Sequence, residues 1–192
     1  MTSPVRAVDL DVVPPEPVPA VLALGSNLGD RAATLRSAVG ALAGVPGIDV
    51  VGTSPVYETD PVGGPDQPPY LNAVVLVRTT LSARGLLRAA SVVESHHGRE
   101  RVIHWGARTL DVDVLAYAHL VASDAELTVP HPRAHERAFV LVPWAAADSE
   151  AVLPGPHGGA VALLAARAPD AGGVRLVPGV FLAGDGGVEG RP

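Results

Sequence analysis

Two strand-like runs follow one another with no helix between them, and this excludes many of the folds open to a chain of this length. IDVVGTSPVYET (48–59) and YLNAVVLVRTT (70–80) are rich in β-branched and aromatic residues, and only the loop DPVGGPDQPP (60–69) separates them. A doubly wound parallel sheet needs a helix between successive strands, so consecutive strands argue against it.

The rest of the chain completes a pattern around this pair. AVLALG (20–25) is a short apolar run closed by glycine, as expected of a buried strand. The segment 29–44 then has Asp30 as an N-cap and Leu35, Val39 and Leu42 at helical spacing. Residues 81–98 place Leu86, Leu87, Ala90 and Val93 on one side of a second helix, and RTLDVDVLAY (108–117) is the next strand. Strand, helix, strand, strand, helix, strand is the split βαβ order of a ferredoxin-like α+β fold, a mainly antiparallel sheet with helices packed on it. A hairpin strand at HLVAS (119–123), the stretch LTVPHPRAHERAFVLVPWAA (127–146) and a short helix around 160–168 follow. We expect one domain over 20–178, a flexible proline-rich extension over 1–19 and a flexible tail over 179–192.

Composition narrows the chemistry. A net charge of −6 disfavours an electrostatic grip on nucleic acid. There is no cysteine, so disulfides and thiolate chemistry are excluded. All 14 basic residues are arginine, which removes a P-loop lysine and any Schiff base. The N-terminus does not read as a secretory signal, and no apolar stretch reaches the roughly 18–20 residues of a membrane span. A cytoplasmic monomer is expected.

On strand 108–117, Asp111 and Asp113 share one face while Leu110, Val112 and Val114 line the other. Acids at i and i+2 lie about 6.6 Å apart along a strand and can converge on cations between them. Magnesium suits two carboxylates completed by substrate phosphates. The ordinary alternative is a solvated polar face. Upstream, Arg99, Arg101 and Arg108 flank Trp105 in a loop; arginine forks match phosphate, although a solvated basic loop reads the same way. Downstream, His131 sits in Pro-His-Pro, with His135, Arg137 and Phe139 close behind. Phosphate contact from His131 and Arg137 is one reading; a zinc site of His131, His135 and an aspartate is another, and a polar helix start a third. Tyr70 and Asn72 share a strand face, and with Trp105 and Phe139 they offer what a flat heterocycle needs: rings to stack on and an amide for its edge. GSNLGD (25–30) lacks Walker spacing and reads as a structural turn into the first helix.

ALGSNLGDR, SPVYETDPVGGPDQPPYLNAVV, the GRER and WGARTLDVDVL segments and LTVPHPRAHERAFVLVPW occur in an order that resembles the 6-hydroxymethyl-7,8-dihydropterin pyrophosphokinase family, over residues 20–146. The resemblance implies a ferredoxin-like fold and transfer of the pyrophosphoryl group of ATP to the pterin hydroxymethyl oxygen, leaving AMP, in folate biosynthesis. By the same resemblance Asp111 and Asp113 bind two Mg2+ ions, Arg99 and Arg101 belong to a mobile loop over ATP, and Arg108 completes the catalytic set. Thr128, His131 and Arg137 line the ATP. Asn72 reads the pterin edge, Tyr70, Trp105 and Phe139 surround it, and Thr59 and Val62 lie in the loop beside it. The chain departs from the family at Ala107, where proline is usual, and at His104, where arginine is common.

Two other readings compete: a zinc hydrolase built on His131 and His135, and a non-catalytic ferredoxin-like module that binds a small metabolite. The paired acids beside an arginine loop and an aromatic–amide pocket favour the pyrophosphokinase.

Overall fold

A computed structural model describes residues 8–61, 67–98 and 109–182. The elements follow in the order β1 (Val18–Ser26), α1 (Arg31–Ala43), β2 (Ile48–Thr53), β3 (Tyr57–Thr59), β4 (Tyr70–Thr79), α2 (Ala83–His96), β5 (Asp111–Tyr117), β6 (Ala122–Ser123), β7 (Thr128–Val129), α3 (Ala138–Ala147), β8 (Val152–Leu153), β9 (Gly159–Ala160), α4 (Val161–Arg167) and β10 (Arg175–Leu176). The main sheet runs β10-β3-β4-β1-β5, with β2 also on β4, and every pairing in it is antiparallel. The mainly antiparallel sheet with helices packed on it agrees with the α+β reading, while the element order carries one more strand than expected between α1 and α2.

The helices form where caps and apolar spacing agree. Asp30 accepts from the Ala33 amide at 2.9 Å and starts α1, which buries Leu35, Ala38, Val39 and Leu42. Ser82 accepts from the Gly85 amide at 3.0 Å and starts α2, which buries Leu86, Ala90 and Val93. Both pack on the sheet face lined by Leu22, Leu24, Val75, Val77, Val112 and Val114. The opposite face carries α3 and α4 over Val74, Leu115 and Ala116. Helix α3 follows the His131–Arg137 stretch, for which a polar helix start is one of the three readings of the sequence. It is apolar all round and carries Pro143 in its interior, so it shows no amphipathic stripe; it is a buried helix. Its first amide, Ala138, donates to Asp170 Oδ1 at 2.9 Å, a cap supplied from 32 residues away.

The run 48–59, read as a single strand, is two. The Ser54 hydroxyl accepts from the Val74 amide at 2.9 Å and donates to the Pro55 carbonyl at 2.7 Å, and Pro55 has no amide to give to a ladder. The lead-in, expected to be flexible, is anchored at one residue, Leu10, while its neighbours Val8, Val12 and Val13 are exposed. Leu10 is 3% exposed in the core, and its carbonyl accepts from the Arg84 amide at 3.0 Å. The Arg84 guanidinium ties Asp11 of the lead-in to Glu126 and Asp124 of the β6–β7 turn. At the other end Leu182 is buried, and the Phe181 carbonyl accepts from Arg36 at 2.9 Å. Proline content did not reveal the one leucine that anchors the lead-in.

Candidate functional site

Register places the site. Tyr57 on β3 pairs with Asn72 on β4, Asn72 with Gly25 on β1, and Gly25 with Asp111 on β5. Partners in a ladder share a face, so these four residues form one row across the sheet, on the side that carries α3. Two residues further along β5, Asp113 pairs with Ala23, which pairs with Val74. Both aspartates are half-buried, and the alternation on β5 leaves Val112 and Val114 in the opposite core. The paired-acid geometry read from the sequence is present.

Gly25 is the gap in this floor. A Cβ built on it would stand 3.3 Å from Asn72 Oδ1 and 3.9 Å from a ring carbon of Tyr70. The missing side chain lets the Asn72 amide lie across β1 toward Asp111's side of the sheet. Sequence reading treated the glycine as part of a turn; its ladder position between an amide and an acid was the signal.

Around the amide the polar groups are fixed. Asn72, 6% exposed, donates from Nδ2 to Thr59 Oγ1 at 2.8 Å. The Tyr70 hydroxyl donates to Gln67 Oε1 at 3.1 Å, and Asn27 Nδ2 donates to the same oxygen at 3.0 Å. Arg31 donates to the Pro69 carbonyl at 2.7 Å and to Glu58 at 3.1 Å, joining the two ends of the loop between β3 and β4. Asn27, Arg31 and Gln67 were not singled out from sequence; the bonds made by Asn27 and Arg31 reach partners 27 to 41 residues away.

On the acid side, the backbone amide of His131 donates to the Leu115 carbonyl of β5 at 2.8 Å, which sets the histidine beside the strand of the aspartates. Its Nδ1 accepts from the Arg133 amide at 3.2 Å, so the neutral ring carries its proton on Nε2. Burial, then the nearby Arg137 and Arg133, push its pKa down to about 4, against an opposing pull from Asp111. Arg137 is half-buried, which lowers its pKa; Asp113, Glu136 and Asp111 favour its charge, and Arg133 opposes it. Its guanidinium lies 5.5 Å from the centroid of the Phe139 ring. Asp111, Asp113, His131, Arg137 and Phe139 are thus neighbours at one end of the sheet. Thr128, on β7, shares a 2.7 Å hydrogen bond with Ser123 Oγ, three residues ahead of His131.

Two aspartates on one strand face, with no competing thiolate, are a hard oxygen donor set of the kind magnesium takes when phosphates complete its shell. The zinc reading fares differently. His135 stacks on His157 with ring centroids 4.7 Å apart, and among the described residues no group of three or more histidines and acids is placed to hold a metal ion. Val62, Arg99, Arg101, Trp105, Arg108 and the positions His104 and Ala107 lie outside the described residues.

One further acid belongs here. Glu94 of α2, 4% exposed, accepts from the Val112 amide at 2.8 Å, between the two aspartates. Its signal was visible: four residues after Ala90, it falls on the apolar face of its helix.

Residues 21–149 match the family described as 7,8-dihydro-6-hydroxymethylpterin-pyrophosphokinase. The chain is 48% identical over 136 residues to the 2-amino-4-hydroxy-6-hydroxymethyldihydropteridine pyrophosphokinase of Methylorubrum extorquens, covering 71% of this chain and 86% of that protein. It is 44% identical over 126 residues to the enzyme of the same name from Bacillus subtilis, covering 66% of this chain and 75% of that protein. Among solved structures, wild-type Plasmodium falciparum HPPK-DHPS with pterin and p-hydroxybenzoate superposes with a TM-score of 0.62 at 14% identity. That match covers 79% of this chain and 43% of the other, and it bears on the fold alone.

Proposed function

The chain belongs to the 7,8-dihydro-6-hydroxymethylpterin-pyrophosphokinase family, and from that premise we propose how its own residues carry the reaction. The activity is transfer of the β,γ-pyrophosphoryl group of ATP to the hydroxymethyl oxygen of 6-hydroxymethyl-7,8-dihydropterin. The substrate O–H proton is lost, a bond forms from that oxygen to Pβ, and the Pβ–O bond to the α-phosphate breaks, releasing AMP. The observation that carries the reading is the single ladder row Asn72–Gly25–Asp111, which sets an amide for a heterocycle edge and an acid for a metal on one face, with His131 and Arg137 beside it.

Each half of the row has its task. Asn72, held by Thr59, reads the pterin edge, and Tyr70 and Phe139 are the candidate stacking faces; Trp105 and Val62, assigned to the pterin by the family resemblance, lie outside the described residues. Gly25 leaves room for the ring edge. Asp111 and Asp113 would hold two Mg2+ ions, which would supply charge to offset that of the triphosphate. His131 offers its Nε2–H, and Arg137 its guanidinium, to phosphate oxygens; Thr128 lies along the nucleotide. Arg99, Arg101 and Arg108 supply the remaining positive charge. The pterin hydroxymethyl oxygen is the nucleophile. We assign no side-chain base to the alcohol. Among the described residues no helix is long and apolar enough to cross a membrane; a monomer in the cytoplasm, catalytic over the single packed unit, is our reading.

The test is AMP formation from ATP and Mg2+ with and without the pterin, comparing the native chain with Asp111→Ala. Pterin-dependent AMP, lost in the variant, supports the reading; ADP as product, or no turnover from folded protein, overturns it.

A further inference from the structure

The family match ends at residue 149, yet the sheet does not. Strand β10 adds to the outer edge of β3, pairing Arg175 with Glu58 and Leu176 with Tyr57, and the Val177 amide donates to the Val56 carbonyl at 2.9 Å. Strand β3 is only three residues long and ends at Thr59, the partner of Asn72. The residues on either side of Thr59, Glu58 and Asp60, both meet the Arg175 guanidinium. Its two terminal nitrogens donate to the two Asp60 oxygens at 3.1 and 2.9 Å, a parallel fork, and one of them lies 3.6 Å from Glu58. Glu58 in turn takes Arg31, which also holds Pro69 at the far end of the same loop.

We propose that Arg175 is a positioning residue for the pterin side of the site, acting from a strand beyond the family match to hold β3 and the start of the β3–β4 loop in register. The proposal rests on the pterin-side reading of Thr59 and Asn72. The geometry favours it because Thr59 is gripped from three directions. Its own hydroxyl meets Asn72, its strand pairs with β4, and the acids before and after it are pinned by one planar fork. A lysine could neutralise either acid but could not hold both Asp60 oxygens in that plane. The fork lowers the Asp60 pKa and raises that of Arg175, first through the hydrogen bonds and then through charge, so both stay ionised across the working range. Because the pair is open to solvent, its effect is a bias on loop geometry and not a condition of folding.

The experiment compares the native chain with Arg175→Gln, Arg175→Lys, Asp60→Asn and the double variant R175Q/D60N. Arg175→Gln is expected to raise KM for the pterin by about 2- to 5-fold, the range of an exposed pair, with KM for ATP and Tm unchanged. Arg175→Lys falls between, and the double variant is no worse than either single one. Amide hydrogen exchange at Tyr57–Thr59, which needs no substrate, is expected to quicken in Arg175→Gln. An unchanged pterin KM overturns the role in substrate positioning, and so does a parallel rise of both KM values with a fall in Tm. Unchanged exchange overturns the clamp itself, whatever the activity proves to be. If the native chain forms no pterin-dependent AMP, the activity reading fails and the substrate role with it, while the exchange result still decides the clamp.

Discussion

The Val112 amide donates to the buried carboxylate of Glu94 at 2.8 Å, so the residue between the two aspartates is held from outside the sheet. Strand β5 ends the sheet, and Val112 turns its amide toward α2 and not toward β1. Glu94 thereby caps an edge that would otherwise leave a buried donor, and it fixes the height of β5 where Asp111 and Asp113 project from the other face. Glu94→Ala should cost about 1–3 kcal/mol, the usual penalty for orphaning a buried donor, and should lower turnover together with stability. Glu94→Gln keeps an oxygen acceptor and should lose less. Urea unfolding of the two variants checks the order; equal losses would mean that the carboxylate charge, and not the bond to Val112, is what matters.

Gly25→Ala tests the gap in the floor. The added Cβ would stand 3.3 Å from Asn72 Oδ1, close enough that the amide must move by a few tenths of an ångström. The backbone there is ordinary strand, so stability should change little. On the proposed role of Asn72 at the pterin edge, misplacing its amide should raise KM for the pterin by about tenfold or more, because small displacements of positioning groups are costly. KM for ATP should hold, and pterin titrations against steady-state rates would separate the two.

Leu10 makes the anchored lead-in testable. At 3% exposure it sits among the core residues of the α1–α2 face. Leu10→Ala should destabilise by about 2–4 kcal/mol, as for other buried leucines, whereas a loose extension would tolerate it within about 0.5 kcal/mol. Thermal unfolding decides between them.

What the sequence disclosed follows from period and proximity. Asp111, Val112 and Asp113 were legible because a strand alternates strictly, α1 because a cap at Asp30 precedes its apolar residues, and α2 because Leu86, Leu87, Ala90 and Val93 recur at helical spacing. Helix α3 was legible only as one of three readings of its polar start, since AFVLVPWAAA has no polar face and holds Pro143; its first amide is capped by Asp170, 32 residues away. The break of 48–59 at Ser54 depends on a hydrogen bond to Val74, 20 residues on. Gly25 shows the same limit within the site. Its neighbours in sequence made a turn plausible, but its neighbours in the ladder, Asn72 and Asp111, come from two other strands. Arg175 lay in a stretch with no motif at all.

Asp111 and Asp113 should be separable from folding. On the proposed metal-binding role, neutralising either, as Asp111→Asn or Asp113→Asn, would remove one of two carboxylate ligands and should cut turnover by about three orders of magnitude. Chelation of Mg2+ should abolish AMP formation and added Mg2+ restore it, with the circular dichroism spectrum and Tm of the substrate-free protein unchanged. Among the described residues no cluster of three or more ligands ties a metal into the fold. A large fall in Tm on chelation would instead reveal a structural metal.

His131 gives the acid limb of stability a sign. Its ordinary pKa of 6.5 falls to about 4 in the fold, chiefly through burial. Between those values the unfolded chain binds a proton that the folded chain refuses, so stability must fall as pH drops from about 6.5 toward 4 and the contribution is flat above that window. His131→Gln removes the titrating ring, and its unfolding free energy should decline less steeply over the same interval. Above pH 6.5 the two slopes should coincide. Chemical denaturation at half-unit pH steps reads the difference directly. In the native chain, the His131 ring resonances should show no titration between pH 6 and 8 without ATP. A midpoint near 6.5 would mean that the ring is solvated, and that its Nε2–H is not held ready for a phosphate oxygen.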